Sequence, residues 1–267
     1  MSQLENDKIR QIVREQYGKV AESGDSGCGC SSTLCCDESD SDAKTTSVGL
    51  GYSNSDVNKV PEGANMGLGC GNPKAIASLK LGETVLDLGS GGGFDCFLAV
   101  NEVGKSGTVI GVDMTPEMIS KARANAEKAG HNNVEFRLGE IESLPVADGK
   151  VDVIISNCVI SLSPEKHKVF QESYRVLKPG GRLAISDVVA TAELPEKLKN
   201  DMAMLTGCIS GASSIIGIES MLKDVGFESI EINPKNESKG FIRNWAPDSK
   251  VEDYVVSATI AAIKPKA

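Results

Sequence analysis

A glycine-rich stretch near residue 90 has the residue types and spacing of a site for a nucleotide-like cofactor. The sequence predicts a buried strand at Val85–Leu88, a sharp turn at Gly89–Gly93 and a helix from Asp95. Glycines let the backbone turn tightly and approach a ligand with no Cβ in the way. The next helix then directs its unpaired N–H groups toward that ligand. We therefore expect a cofactor at the carboxyl end of the first strand of an α/β sheet.

Two acidic residues beside the glycines indicate which cofactor this is. Asp113 ends a second predicted strand and follows Gly89 by 24 residues, close to the ~20 expected for an acid that binds ribose hydroxyls. Asp87 lies inside the first strand, where a carboxylate would face the pyrophosphate of a dinucleotide but suits the ammonium group of S-adenosylmethionine. Arg175–Arg182, which contains Lys-Pro-Gly-Gly, resembles the turn before the fifth strand of class I methyltransferases. S-adenosylmethionine is therefore favoured over a nicotinamide cofactor.

Composition and charge weigh against several classes of function. The 267 residues are 40% hydrophobic, no apolar run approaches the ~20 residues of a membrane span, and the charged start has no signal core. We therefore expect a cytoplasmic protein that does not enter a membrane. A net charge of −9 argues against a nucleic-acid partner, because phosphate contacts need a basic face. With no obvious exposed apolar face, we expect a monomer.

Eight cysteines and only two histidines point to thiol chemistry. In a chain that is neither small nor exported, many thiols indicate metal or metalloid ligands, or redox chemistry. Four of them lie within nine residues of the Gly-, Ser- and Asp-rich segment 24–42, which we expect to be flexible without a ligand. Their Cys-x-Cys and Cys-Cys spacing does not match the usual zinc pattern, so a metal-binding or scavenging tail stays an alternative.

Three further cysteines are predicted to meet at the cofactor side of the sheet. Cys70 lies on a glycine-lined loop, Cys158 follows the fourth strand, and Cys208 lies in a long connection after the fifth. Function concentrates at the carboxyl ends of parallel strands, so the three thiols should converge there. Three thiolates select a soft, three-coordinate centre, which trivalent arsenic fits. Cys96, in contrast, is expected to be a small buried hydrophobe of the first helix after the glycines.

We expect an α/β, Rossmann-like class I methyltransferase fold to bring these residues together. We expect a seven-stranded, mostly parallel sheet with an antiparallel last strand. Residues 1–60 should hold a helix at 5–22, packed on the domain edge, and the Cys-rich segment. Residues 61–190 should form the cofactor-binding domain, with Ser163 capping a helix. Residues 191–267 should supply a substrate cap at 191–217 and then the closing helix and strands, with Trp245 serving packing.

The chain resembles the arsenite methyltransferases over nearly its whole length. The cofactor turn and Lys-Pro-Gly-Gly are shared by many methyltransferases, whereas the contexts of the three cysteines are far more specific. The matching segments are Val60-Pro-Glu-Gly-Ala-Asn, Gly67-Leu-Gly-Cys70-Gly-Asn-Pro, Val85-Leu-Asp-Leu-Gly-Ser-Gly, Gly111-Val-Asp-Met-Thr-Pro-Glu-Met118, Ile155-Ser-Asn-Cys158-Val and Gly207-Cys208-Ile-Ser-Gly-Ala.

The resemblance implies a substrate, a cofactor and roles for the thiols. The cofactor is S-adenosylmethionine, the substrate is arsenite delivered as a thiol conjugate, and methylarsenicals are products of detoxification. Cys70, Cys158 and Cys208 are then the arsenic-handling thiols. A cysteine of the N-terminal cluster forms a disulfide with Cys70 during turnover, and thioredoxin or another thiol reductant restores it. Cys36 is favoured among the candidates Cys28, Cys30, Cys35 and Cys36.

The same resemblance assigns the parts of the cofactor to residues. Asp87 and the turn with Gly89, Ser90 and Gly91 would hold the amino-acid end, and Asn157 would lie beside the methyl group. The ribose and adenine would contact Asp113, Met114, Ile141 and Glu142.

Two other functions stay open from the sequence. A carbon-directed methyltransferase of a quinone-type small molecule would share the fold and the Lys-Pro-Gly-Gly element, but it gives no reason for thiols at three crevice positions. A non-enzymatic metalloid-binding protein would need the thiols but not the complete set of cofactor residues.

Overall fold

The structure, a computed structural model, describes residues 3–23, 43–199 and 201–266. One mixed sheet runs through it, with strand order β3-β2-β1-β4-β5-β8-β7 and the short β6 paired beside β5. The strands are β1 (Thr84–Leu88), β2 (Thr108–Asp113), β3 (Val134–Leu138), β4 (Val151–Asn157), β5 (Leu177–Ala190), β6 (Ser213–Ser214), β7 (Glu228–Lys235) and β8 (Val255–Ile263).

Helices cover both faces of this sheet and its carboxyl edge. They are α1 (Gln3–Ser23), α2 (Ala43–Gly49), α3 (Asn54–Lys59), α4 (Lys74–Ala77), α5 (Phe94–Val103), α6 (Pro116–Ala129), α7 (Lys166–Val176), α8 (Glu196–Lys199), α9 (Met202–Thr206), α10 (Ile215–Val225) and α11 (Lys239–Ile242). In the part of the chain that the structure describes, no helix is long and apolar enough to cross a membrane.

The central strands are buried on both faces, which explains their nearly continuous apolar sequences. Leu86 and Leu88 of β1 pack into one core cluster with Phe170 of α7. Val85, on the opposite face, packs into a second cluster with Phe97 of α5. Because successive side chains alternate between the faces of a strand, one short segment ties both helical layers to the sheet. The glycine turn that follows β1 therefore starts from a rigid support.

The prediction of a mostly parallel sheet with an antiparallel last strand is confirmed. β8 lies between β5 and β7 and is antiparallel to both of them. The two-residue β6 was not predicted; it pairs parallel with the end of β5 and raises the strand number of the sheet to eight. It is too short for a hydrophobic pattern to reveal it.

Two local predictions differ from the structure. Helix α7 begins at Lys166, and Ser163 does not cap it; the Ser163 hydroxyl instead accepts from the N–H of Glu165 at 3.1 Å. Helix α1 does not pack on the domain edge. It lies across the carboxyl end of the sheet and lines the principal cavity.

Candidate functional site

A cavity of about 580 Å³ lies at the carboxyl ends of β1, β2 and β4, under α1 and the connection that follows β5. This volume is within the ~300–1,000 Å³ of small-molecule sites. Of the predicted site residues within the described ranges, all but one line this cavity. They are Asp87, Gly89, Ser90, Gly91, Asp113, Met114, Ile141, Glu142, Asn157, Cys158 and Cys208. Cys70 lies behind the wall, and its neighbour Gly69 reaches the surface of the cavity.

The glycine turn is held in shape by β2. Gly89 has φ +69°, and a Cβ there would meet Cγ2 of Val159 at 2.3 Å, so this position requires glycine. Asp113 accepts from the N–H of Gly91 at 2.9 Å and from the N–H of Thr115 at 2.8 Å. Its carboxylate therefore fixes the turn as well as facing the cavity. The Ser90 hydroxyl is buried without a hydrogen-bond partner in the described residues, which leaves it for a ligand.

Two buried carboxylates, Asp87 and Asp95, line the cavity next to the turn. Burial raises the pKa of Asp87 well above its usual range, and the nearby charge of Asp95 adds to this. Asp87 accepts the thiol hydrogen of Cys96 at 3.3 Å. Neither carboxylate has a salt-bridge partner within residues 3–23, 43–199 and 201–266. A cavity wall with two buried acids, neither of them in a salt bridge, fits a cationic ligand.

Asp95 belongs to a hydrogen-bonded network that the sequence did not reveal. The hydroxyl of Tyr52 donates to Asp95 Oδ1 at 2.7 Å, and the Nδ2 of Asn157 donates to the Tyr52 oxygen at 3.0 Å. Burial raises the pKa of Asp95 to about 6, although the bonds from Tyr52 and Asn157 oppose that rise. Tyr52 is more than 30 residues from Asp95 in the chain, so no local pattern joins them.

Asn157 also anchors the loop that carries Cys70. Its Oδ1 accepts from the Cys70 N–H at 3.0 Å, and its Nδ2 donates to the Gly71 carbonyl at 2.8 Å. From β8, the hydroxyl of Ser257 donates to the Cys70 carbonyl at 2.7 Å. A Cβ at Gly69 would lie 2.7 Å from the Asn157 side chain, so glycine permits this close approach.

The structure brings the three predicted thiols together. Cys70, Cys158 and Cys208 are all buried in one apolar cluster. The pKa of Cys158 is raised well above its usual range by hydrogen bonds with the thiols of Cys208 and Cys70, and then by burial. Burial also raises the pKa of Cys70. The Cys208 thiol donates to the carbonyl of Cys158 at 3.0 Å. The thiols of Cys70 and Cys158 therefore favour the protonated form.

Two of these thiols lie on unusual backbone. Cys158 has φ +59° and Cys208 has φ +64°, in the left-handed region that non-glycine residues rarely adopt. Cys158 is held there by its N–H bond to the carbonyl of Ser186 at 2.8 Å. Such strain persists only where the surroundings over-determine it, and it clusters at functional sites.

Helix α1 closes one side of the cavity through Arg10, whose role the sequence did not show. The Arg10 guanidinium lies 2.5 Å from Glu165 Oε2 and 3.4 Å from Glu142 Oε1. Glu142, predicted to border the adenine, thus lines the cavity while also accepting from Arg10 and from the Ser163 hydroxyl at 2.6 Å. The hydroxyl of Tyr17 donates to the Thr206 carbonyl at 3.2 Å and ties α1 to the segment that carries Cys208.

The apolar part of the wall differs from the prediction at one residue. Trp245, expected to serve packing alone, lines the cavity beside Phe241, and their ring centroids are 5.5 Å apart. The N-terminal cysteines, including Cys36, lie outside the described residues. Within the described ranges, no group of three or more His, Cys, Asp or Glu side chains is arranged to hold a metal ion. The three thiols are neighbours, but they do not form a ready ligand set.

Comparisons with known proteins identify the family. A methyltransferase-domain family model matches residues 79–242. The chain is 56% identical over 265 residues to the arsenite methyltransferase of Halobacterium salinarum, covering 97% of this chain and 67% of that protein. It is 41% identical over 227 residues to the arsenite methyltransferase of Aquipseudomonas alcaligenes, covering 82% of this chain and 62% of that protein. The chain thus spans about two-thirds of the length of these relatives.

A solved structure supports the same assignment. The fold is similar to that of an arsenic(III) S-adenosylmethionine methyltransferase from Chlamydomonas reinhardtii, with a TM-score of 0.61 and 31% identity over 85% of this chain and 74% of that chain. The structure of a phosphoethanolamine N-methyltransferase from Haemonchus contortus, at 23% identity and a TM-score of 0.61, shares the fold. With its methyltransferase domain and its close relatives, the chain belongs to the arsenite methyltransferase family of S-adenosylmethionine-dependent enzymes.

Proposed function

We propose that the protein methylates trivalent arsenic, and that Cys70, Cys158 and Cys208 hold the arsenic during the reaction. One observation carries this proposal: the buried thiol of Cys158 hydrogen-bonds with the thiols of both Cys70 and Cys208, next to the cavity that the glycine turn also lines. The names of the curated relatives support arsenite as the substrate. The segment 191–217, which contains Cys208, would act as the substrate cap.

The raised pKa values of Cys70 and Cys158 do not prevent arsenic from binding. Each thiol that bonds to arsenite releases its hydrogen to a departing hydroxide, which leaves as water. If arsenic arrives as a thiol conjugate, the hydrogen goes to the departing thiolate instead. No net proton is released in either exchange. The Cys208 thiol must leave the carbonyl of Cys158 before it can bond to arsenic.

The cavity wall fits S-adenosylmethionine, which supplies a methyl group on a cationic sulfur when bound. Asp87 would attract its ammonium group, and the N–H groups and Ser90 hydroxyl of the turn would bind its carboxylate. Asp113 and Met114 would hold the ribose, Ile141 and Glu142 would border the adenine, and Asn157 would lie beside the methyl. Arsenic held by thiols keeps a lone pair, so no residue has to act as a general base. The residues would act mainly by aligning the two reactants.

The thiols also have a redox part in the proposed reaction. Arsenic that uses its lone pair to take a methyl group is oxidised by two electrons, from trivalent to pentavalent. Two thiolates can return those electrons by joining as a disulfide, and we propose Cys70 and Cys36 for this pair. Thioredoxin or another thiol reductant would then reduce the disulfide by exchange. The need for reduced thiols supports a reducing compartment such as the cytoplasm. We expect a monomer that acts without a nucleic-acid partner.

The test is methyl transfer by matched cysteine variants. Reduced protein is incubated with S-adenosylmethionine, arsenite and excess thiol, and arsenic species are separated by chromatography with arsenic-specific detection. Cys158→Ser and Cys208→Ser should lose methylation while they still bind S-adenosylhomocysteine. Cys96→Ser is the control, because a buried hydroxyl can still donate to Asp87. Methylarsenicals from Cys158→Ser at the normal rate would contradict the proposal, as would cofactor binding by the unmodified protein without any methylarsenical.

A further inference from the structure

Arg10 is the most buried cation on α1. Its guanidinium pairs with Asp7 of the same helix and with carboxylates of two other segments, Glu140 and Glu142 in one and Glu165 in the other. Its side chain is 10% exposed, against 41% for Arg14 one turn later. Glu142 follows β3 in the chain, and Glu165 precedes α7. Arginine suits this position because its planar guanidinium presents several donors in a fixed geometry. The bridge therefore joins α1 to two segments at the carboxyl edge of the sheet.

Glu142 is the partner that faces the cavity. Its side chain is 6% exposed, whereas that of Glu165 is 23% exposed. The hydrogen bonds that the described residues donate to Glu142 end on Oε1, from Arg10 and from Ser163. Neither of these bonds uses Oε2, so that oxygen can accept from a donor on the ligand, such as a hydroxyl or amino group of an adenosine.

The same helix forms part of the cavity wall. Val13, Tyr17 and Val20 line the cavity along with Arg10. The pocket-facing positions recur at helical spacing, so α1 presents one continuous face to the ligand. Rotation of this helix would move the whole face together. The Arg10 bridge lies at one end of that face, and the bond from Tyr17 to Thr206 fixes its middle.

We propose that Arg10 is a positioning residue for the cofactor: its guanidinium fixes the Glu142 carboxylate at the cavity wall and holds α1 across the bound cofactor. This inference rests on the proposed function, because it takes S-adenosylmethionine as the ligand. Arg10 acts through Glu142 and does not contact the thiols. Its loss should therefore weaken cofactor binding and leave the arsenic site intact.

The experiment compares Arg10→Gln with Arg14→Gln in the full-length protein. Calorimetry with S-adenosylmethionine and with S-adenosylhomocysteine, without arsenite, should show Kd raised about tenfold or more in Arg10→Gln and unchanged in Arg14→Gln. In arsenite methylation, the KM for S-adenosylmethionine should rise while kcat and the KM for arsenite change little. Arg10→Lys should bind the cofactor more tightly than Arg10→Gln but less tightly than the unmodified protein, because lysine restores the positive charge but not the planar set of donors of the guanidinium.

A double-mutant cycle decides whether Arg10 acts through Glu142. In a Glu142→Gln background, Arg10→Gln should cause little further loss, whereas in a Glu165→Gln background it should still weaken binding. Equal affinity of Arg10→Gln and the unmodified protein would overturn the inference, and so would an equal loss in Arg14→Gln. A uniform fall in kcat with unchanged cofactor affinity would also overturn it. Cofactor binding without arsenite methylation would refute the proposed function but leave this test valid.

Discussion

The side chain of Asn157 forms hydrogen bonds with the backbone on both sides of the Cys70 carbonyl: its Oδ1 accepts from the Cys70 N–H, and its Nδ2 donates to the Gly71 carbonyl. An amide is suited to this task because it offers an acceptor and a donor from one flat group. The position of one arsenic-handling thiol in the proposed reaction thus depends on the residue directly before another, Cys158.

Asn157→Ala should therefore impair arsenic handling more than cofactor binding. Without the Asn157 amide, the Cys70 N–H and the Gly71 carbonyl lose their hydrogen-bond partner, which should lower the stability of this loop by about 1–3 kcal/mol. We expect kcat/KM for arsenite to fall at least about tenfold. Asn101→Ala, on the exposed side of α5, is the control. An unchanged kcat/KM in Asn157→Ala, measured by chromatography of arsenic species, would show that the loop is fixed by other contacts.

Because the backbone of Cys208 is left-handed, we expect glycine to be more stable than alanine at this position, the reverse of their usual order in a helix. At an ordinary helical position, glycine is less stable than alanine by about 0.5–1 kcal/mol. At Cys208, alanine keeps the strain of φ +64° and glycine removes it, so Cys208→Gly should be more stable than Cys208→Ala by about 1 kcal/mol. Both variants lose the thiol, so the comparison isolates the backbone.

Urea unfolding measures this difference, with unchanged m-values as the condition for comparing midpoints. Cys96 in α5 provides the matched control, because it is a buried cysteine on regular helix. At that position, Cys96→Ala should be more stable than Cys96→Gly. If alanine is also preferred at position 208, the strain at Cys208 does not contribute to stability.

Asp95 should make the protein less stable as the pH rises. Its pKa is raised by burial to about 6 in the folded protein, above the ~3.9 of an unfolded aspartate. Between these values the folded state binds more protons than the unfolded state, so the free energy of unfolding falls as the pH increases. Asp95→Asn keeps an acceptor for the Tyr52 hydroxyl and removes this titration.

We expect the free energy of unfolding of Asp95→Asn to exceed that of the unmodified protein by an amount that increases from pH 4 to pH 7. The upper bound is about 3 kcal/mol for a shift of this size. Urea unfolding at a series of pH values measures it. Bound S-adenosylmethionine should reduce the difference, because a cation near Asp95 stabilises its charged form. A difference that does not vary with pH would mean that Asp95 has an ordinary pKa.

The sequence predicted those parts of the site that local patterns encode. The run of apolar residues before Gly89 and the acid at Asp113 are local features, and they located the cofactor turn. The meeting of Cys70, Cys158 and Cys208 follows from three segments that are each expected on the crevice side of the sheet or in its cap. Roles that depend on distant contacts were not predicted. Arg10 is the best example, because nothing near it in the sequence marks Glu142 or Glu165 as its partners.

The course of the chain through the sheet has a consequence for synthesis. β8 follows every other strand of the sheet in sequence, yet it inserts between β5 and β7. Its Ser257 supplies the bond to the Cys70 carbonyl. While the protein is being made, Cys70, Cys158 and Cys208 therefore leave the ribosome before the strand that completes their burial. A nascent chain stalled on the ribosome before residue 255 should expose these thiols to alkylation, and the folded enzyme should protect them.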